Sequence, residues 1–180
     1  MRFLISAAGT GGHVFPALEF SAECIKNNHD VLWMGTKTGL ESRKVPEKNI
    51  QFMTVPMRGF RGKGLLNKFI SIFGLVASIG KTIIFLFQNK INFVVCFGGY
   101  ISLPVGIAAI LCRKQLILHE QNAVMGTSNK LLAAFAKIIF LGTPLAMVSQ
   151  KNTQLVGNPI KRINKHQDTV PPKSDELKIY

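Results

Sequence analysis

The sequence predicts an α/β fold, a Rossmann-like parallel sheet with helices on both faces. Three observations carry this. Short apolar runs alternate with helical stretches along the chain. The runs are apolar on both faces, as strands sandwiched between helix layers must be. Two of them end in glycine-rich turns that open onto helical patterns: Gly9-Thr10-Gly11-Gly12-His13 and Gly98-Gly99-Tyr100-Ile101-Ser102-Leu103-Pro104.

The first strand is expected over Phe3–Ala7, stopped by the first glycine turn, and the first helix over Pro16–Asn28. Val31–Met34 and Gln51–Val55 supply the next two strands. A long apolar helix follows over Leu65–Phe87. Phe93–Phe97 leads into the second glycine turn and a helix over Val105–Leu111. Leu116–His119 is a strand that ends in His119-Glu120-Gln121-Asn122, and a helix follows over Ser128–Ala136. Ile138–Leu141 and Gln154–Val156 complete the strands, the last closed by Gly157-Asn158-Pro159. Right-handed crossovers bring the strand-to-helix loops to one rim of such a sheet, where ligands bind. Residues 1–160 are thus expected to form one domain. Residues 161–175, polar and holding Pro171-Pro172, read as a linker, and residues 176–180 as the opening strand of a second domain.

At 180 residues, 47% hydrophobic and 17% charged, the chain is long and apolar enough for a full core. Its 22 basic and 9 acidic residues give a net charge of +13, which favours an anionic partner. Nucleic acid fits worst: basic residues are dispersed, with no recognition helix or aromatic RNA-binding signature. An anionic membrane surface or a phosphorylated substrate fits better. Cys24, Cys96 and Cys112, an odd number in apolar settings, are expected to be buried free thiols in a reducing compartment. No clustered Cys/His set suggests a metal. The stretch Phe3–Ala8 is too short for a secretory signal, so a cytoplasmic location is expected.

Three decoys fail on spacing. A dinucleotide fingerprint needs a third glycine where Val14 stands and an acidic residue where Gly35-Thr36-Lys37 stands. The Gly74…Gly80-Lys81-Thr82 run has one residue too many for a P-loop and lies inside a helix. His119-Glu120 lacks a second histidine, Ala123 occupying its place, so a zinc-protease site is excluded.

What stays are groups suited to phosphate and sugar. Glycine turns at helix N-termini present N–H groups and positive dipole to anions. The same dipole disfavours imidazolium, so His13 is expected neutral and able to accept a proton. Thr10 offers a hydroxyl and an N–H. His119 and Glu120, at a strand end, suit substrate binding or proton relay, and Asn122 suits a sugar or phosphate contact. On Leu65–Phe87 a narrow small-or-polar stripe (Asn67, Ser71, Gly74, Ser78, Lys81, Thr82) interrupts a surface that is otherwise apolar. Phe69, Phe73, Val76 and Ile79 belong to that surface, with Arg58, Arg61, Lys63 and Lys68 at its N-terminal side. Apolar surface beside basic residues is the pattern of an interfacial membrane contact. Lys68 and Lys81 leave 12 uncharged residues between them, too few to span a bilayer.

Taken together, GTGGHVFP (Gly9–Pro16), RGKG (Arg61–Gly64), GGYISLP (Gly98–Pro104), HEQN (His119–Asn122), Asn129-Lys130 and VGNP (Val156–Pro159) resemble the N-terminal half of the MurG family of bacterial glycosyltransferases. The resemblance runs from Phe3 to about Lys161. It implies the N-terminal half of a two-domain GT-B enzyme that transfers N-acetylglucosamine, with inversion, from UDP-N-acetylglucosamine to the C4 hydroxyl of the muramyl sugar of undecaprenyl-diphospho-muramyl-pentapeptide. It implies no cofactor beyond that sugar nucleotide and no metal. By resemblance, Thr10, Gly11, Gly12, Asn122 and Lys161 fall at donor-contacting positions, and Gly98, Gly99, Tyr100, Ser102 and His119 at acceptor positions. His13 matches the histidine proposed to deprotonate, or orient, the acceptor hydroxyl, and His119 and Glu120 match polar residues near the reacting sugars. Apart from the resemblance, Glu120 is expected to keep the His13 imidazole oriented. The apolar helix matches the family's membrane patch, which implies a peripheral protein on the cytoplasmic face of the bacterial inner membrane. Lys161 stands where an arginine is usual, and Leu103 where a small residue is usual. The family's donor-binding domain would follow the linker, so the 180 residues alone are expected to turn over negligibly. The alternative is a non-catalytic, membrane-associated module that binds the lipid-diphosphate acceptor.

Overall fold

A computed structural model of the chain describes residues 1–57, 65–146 and 152–160, with residues 65–70 described by their backbone. Strands β1 (Arg2–Ser6), β2 (Asp30–Gly35), β3 (Gln51–Thr54), β4 (Phe93–Cys96), β5 (Gln115–Glu120), β6 (Ile138–Leu141) and β7 (Thr153–Leu155) form one sheet. Its order is β3-β2-β1-β4-β5-β6-β7 and each adjacent pair is parallel. Helices α1 (Gly11–Lys26), α2 (Glu41–Lys44), α3 (Leu65–Gln88), α4 (Ser102–Leu111) and α5 (Thr127–Leu132) cover it, α5 running into a 3-10 turn at Ala133–Phe135.

Successive strand residues point to opposite faces, and the core divides accordingly. Ile5, Trp33, Val95 and Phe97 pack with Val14, Ala17 and Leu18 of α1. Leu4, Leu32, Met34, Val94, Leu116, Leu118 and Ile139 pack with Leu86 of α3, Val105 and Ala108 of α4 and Leu132 of α5. The expected two-sided burial holds for the central strands β1, β2, β4 and β5, whereas the edge strands β3 and β7 have no fully buried residue.

The helices differ from expectation at their rim ends. Helix α1 begins at Gly11 rather than Pro16, so Gly11, Gly12 and His13 form its first turn, on the Thr10 carbonyl. Glycine's poor helix propensity hid this start. Yet the first four N–H groups of any helix lack intrahelical partners, so the turn forfeits little there. Helix α4 likewise starts at Ser102, ahead of Pro104, because proline is tolerated in a first turn. Helix α2 and the 3-10 turn Pro46–Lys48 fill a stretch that has no element in the sequence reading.

Cys24 and Cys96 are buried free thiols, and desolvation raises them to about 11 and about 12. Cys112, at the C-terminal end of α4, is only half-buried, contrary to expectation, because the helix ends there at the surface. The Lys161 position, the linker and residues 176–180 lie outside the described residues, as do Arg58, Arg61, Lys63 and the side chains of Lys68 and Phe69.

A close backbone approach joins the segments that follow β1 and β4. Gly99 has φ +78°, and a Cβ there would stand 2.6 Å from the Ala8 carbonyl oxygen. Gly99→Ala combines left-handed strain with a backbone clash and should lower stability by about 1–3 kcal/mol. A urea unfolding midpoint equal to wild type would contradict that reading.

Candidate active site

Sheet order reverses between β1 and β4, so the loops leaving them diverge and open a crevice at the carboxyl ends of the strands. Both glycine turns sit there, and they touch. A Cβ on Gly98 (φ +93°) would lie 3.1 Å from His13 Cε1, so the bare glycine lets the imidazole rest on the second turn. Tyr100 approaches Gly9 from the other side, its ring edge 3.9 Å from where a Gly9 Cβ would be. A cavity of about 650 Å³ opens between His13, Gly98, Gly99, Tyr100, Leu103, Glu120, Asn122 and Asn129. A second, of about 480 Å³, lies against Gly9, Thr10, His13, Gly39 and Tyr100. His13, Gly99 and Tyr100 wall both.

Thr10 is the N-cap of α1 and makes no side-chain cap bond, and the Gly11 and Gly12 N–H groups lie in the first turn beyond it. These donors, with the dipole behind them, suit an anion.

The expected partner of His13 is corrected. Gln121, not Glu120, reaches the imidazole: His13 Nδ1 lies 3.1 Å from Gln121 Oε1, and Gln121 Nε2 donates to the Phe97 carbonyl at 3.0 Å. Glu120 is buried and fully engaged. It accepts from the Asn122 N–H (3.1 Å), Asn122 Nδ2 (3.0 Å), the Gly126 N–H (2.9 Å) and Asn129 Nδ2 (2.9 Å). Its carboxylate ties the loop after β5 to α5, so it shapes the cavity wall rather than steering His13. Asn122 is exposed on that loop with its amide N–H held inward by Glu120.

Two expected acceptor contacts lie beneath the surface. Ser102 is buried. Its hydroxyl donates to the Gly98 carbonyl at 2.7 Å and accepts from the Gly98 N–H at 3.1 Å, which holds the second glycine turn shut. His119 is also buried, stacked on Phe97 with ring centroids 5.1 Å apart, its Nε2 3.3 Å from the Gly157 carbonyl. Burial pushes its pKa below the ordinary 6.5, while the Gly157 bond and the Glu120 charge pull the other way.

Glu41 escaped the sequence reading. It is fully buried at the start of α2, accepts from the Thr36 N–H (3.0 Å) and hydroxyl (2.7 Å), and lies 3.3 Å from the Gly9 N–H. It thereby joins the loop after β2 to the first glycine turn. A buried acid set five residues beyond Thr36 was the available signal.

Helix α3 carries more apolar surface than it buries. Ser78 and Thr82 of its polar stripe are buried, and the Thr82 hydroxyl reaches Met34 Sδ and the Ser78 carbonyl. Gly74 faces the Pro56 carbonyl, 2.9 Å from where a Cβ would be. The large apolar residues of the helix divide: Phe85 and Leu86 are buried in the core, Leu75 and Ile83 are partly buried against it, and others are left outside. Phe73 is 77% exposed, and Ile72, Val76, Ile84 and Phe87 are exposed with it. Ile79 is corrected: it is partly buried and packs on the core. Ser71–Gln88 is long and apolar enough to cross a membrane by composition. It is nonetheless fastened along one side, with Lys81 Nζ donating to the Thr54 carbonyl at 2.6 Å.

Residues 3–141 match the family model described as the glycosyltransferase family 28 N-terminal domain. The chain belongs to glycosyltransferase family 28. A relative from Acidithiobacillus ferrooxidans (strain ATCC 53993 / BNL-5-31) is 42% identical over 158 residues, 88% of this chain and 43% of its own length. One from Haemophilus influenzae (strain PittEE) is 38% identical over 160 residues, 89% and 45% of the two lengths. Both are named UDP-N-acetylglucosamine--N-acetylmuramyl-(pentapeptide) pyrophosphoryl-undecaprenol N-acetylglucosamine transferase. The crystal structure of Acinetobacter baumannii MurG superposes with a TM-score of 0.78 at 32% identity, covering 89% of this chain and 46% of that one. The family 28 chain thus spans a little under half the length of these relatives. Its sheet corresponds to the Rossmann-like N-terminal half of a GT-B glycosyltransferase.

The His119 shift has a stability consequence. Its pKa is lower folded than unfolded, so below about pH 6.5 the unfolded chain binds more protons and stability falls as pH falls. The urea midpoint should drop between about pH 7.5 and about pH 5.5, and His119→Gln should flatten part of that slope. An unchanged slope in the variant would remove His119 as its source.

Proposed function

We propose that the chain forms the acceptor-side half of an inverting N-acetylglucosaminyltransferase of peptidoglycan synthesis. The donor is UDP-N-acetylglucosamine and the acceptor the C4 hydroxyl of the muramyl sugar of undecaprenyl-diphospho-muramyl-pentapeptide. The observation that carries this is the meeting of two glycine turns under His13 at the head of a 650 Å³ cavity. The names of the relatives supply the substrates.

In this reading the acceptor enters the cavity with its diphosphate against the second glycine turn, where Gly98 and Gly99 carry no side chain. His13 takes the hydroxyl proton as the oxygen attacks the anomeric carbon. The bond to the UDP oxygen breaks on the opposite face, so configuration inverts and UDP leaves with the electron pair. Thr10, Gly11 and Gly12 offer N–H groups at the positive end of α1 to the donor phosphates or sugar. Asn122 faces the same rim. The donor's remaining contacts would come from a second GT-B half, and from Lys161 if the resemblance holds there.

The exposed face of α3 supports peripheral attachment to the cytoplasmic face of the bacterial inner membrane. Phe73, Val76, Ile84 and Phe87 would enter the acyl boundary, and the basic residues around Arg61, Lys63 and Lys68 would meet anionic headgroups.

Two measurements test this. Joined to the donor-binding half of the Acidithiobacillus ferrooxidans relative, the chain should transfer labelled N-acetylglucosamine to the lipid-linked acceptor. His13→Ala should cost on the order of 10²-fold or more in rate. Acceptor binding without transfer would favour the non-catalytic module instead, and undiminished turnover in the variant would dismiss His13 as the base. Separately, Phe73→Glu with Val76→Glu should weaken co-sedimentation with anionic liposomes while circular dichroism stays native. Equal sedimentation would defeat the membrane assignment.

A further inference from the structure

The contact between His13 and Gln121 fixes more than an orientation. A carbonyl oxygen can only accept, so the Gln121 amide must present its NH₂ to Phe97 O, 3.0 Å away. Its oxygen is then the atom facing His13, at 3.1 Å. An amide oxygen also only accepts, so the ring nitrogen it meets must carry hydrogen. One backbone carbonyl, 24 residues from Gln121 along the chain, therefore dictates the tautomer of a histidine 108 residues away.

We infer that Gln121 is a positioning residue that holds His13 as its Nδ1–H tautomer and so leaves the Nε2 lone pair as the proton acceptor. His13 Nε2 has no hydrogen-bond partner among the described residues, and it is not among the enclosed orphan atoms. Its ring walls both cavities. Gln121 itself is buried and lines neither of them, so it acts through the imidazole and touches no substrate. The neighbouring glycines leave the ring its place: a Cβ would stand 3.1 Å from Cε1 if added at Gly98 and 3.7 Å from Cδ2 if added at Gly99.

The assignment deepens the transferase reading and rests on it for its catalytic meaning. When the acceptor hydroxyl gives its proton to Nε2, the ring becomes imidazolium and Nδ1 keeps the hydrogen it already shared with Gln121. The hydroxyl oxygen bonds to the anomeric carbon and UDP leaves with the electron pair. No other proton needs to move. With the opposite tautomer Nε2–H would face the acceptor, and the base would have no lone pair to offer.

Nitrogen-15 NMR of the histidine-labelled chain, at about pH 9 where imidazoles are neutral, reads the tautomer without any transfer assay. The His13 signals are those lost in His13→Ala. Wild type should show Nδ1 protonated and Nε2 bare. Gln121→Met, which keeps the side-chain length and removes the acceptor, should move His13 toward a mixture of tautomers. Gln121→Glu keeps an acceptor at Nδ1 and should keep the Nδ1–H form, even though its carboxylate against Phe97 O lowers stability. A wild-type Nε2–H signal, or an unchanged signal in Gln121→Met, overturns the assignment. Should Gln121→Met fail to fold, the wild-type and Gln121→Glu spectra still decide it.

In the joined two-half protein, Gln121→Met should lower kcat at least about tenfold with KM within about twofold, a split that simple loss of folded protein would not give. A wild-type kcat in that variant means the tautomer is set but does not matter for transfer. If wild type shows the Nδ1–H form yet transfers no sugar, the transferase reading fails while the Gln121–His13 assignment stands.

Discussion

The approach of Gly99 to the Ala8 carbonyl is the constraint on which the site is built. Strands β1 and β4 are neighbours, but the chain leaves them in opposite directions, and their exit loops must pass each other at the rim. Any side chain at Gly99 would push them apart, and one at Gly98 would crowd the His13 ring. With both bare, the first turn of α1 and the second glycine turn share one wall. Everything else at the rim is arranged around that contact. Ser102 closes the second turn from below, Glu41 ties the first turn to the loop after β2, and Glu120 ties the loop after β5 to α5.

The buried polar groups here are structural in a specific sense. Glu41 and Glu120 each spend their carboxylate oxygens on backbone and side-chain donors of the same rim. A carboxylate buried without such donors would be costly; with them it fixes loops that carry no regular hydrogen bonding of their own. The polar density that marks a ligand site in a sequence is therefore shared between groups that meet the ligand and groups that hold the first set in place.

Helix α3 shows the same economy in reverse. Its polar stripe is small rather than solvated: Gly74, Ser78 and Thr82 give up side-chain volume so that the helix can lie close to β2 and to the stretch after β3. Phe85 and Leu86 still fill the core from this helix, and Phe73, Val76, Ile84 and Phe87 form a second, exposed apolar row.

The parallel sheet, its seven strands, the convergence of the glycine turns and the place of His13 at the rim were legible in the sequence, because they follow from local patterns. Apolar runs of strand length, glycines at their ends and the handedness of crossovers leave few other arrangements. What could not be read was which neighbour each polar side chain meets. Glu120 and Gln121 are adjacent, both polar and both at the end of β5, but a single step along the backbone sends one into the loop below and the other across to β4. The stripe on α3 was visible as well, whereas the side of the helix that faces the sheet was not, since that depends on what the sheet presents to it. Periodicity, turn chemistry and chirality are properties of the chain taken a few residues at a time. The partner of His13, the reach of Glu41 to Gly9 and that of Thr82 to Met34 are settled by contacts between segments far apart in sequence, and only the packed fold brings those together.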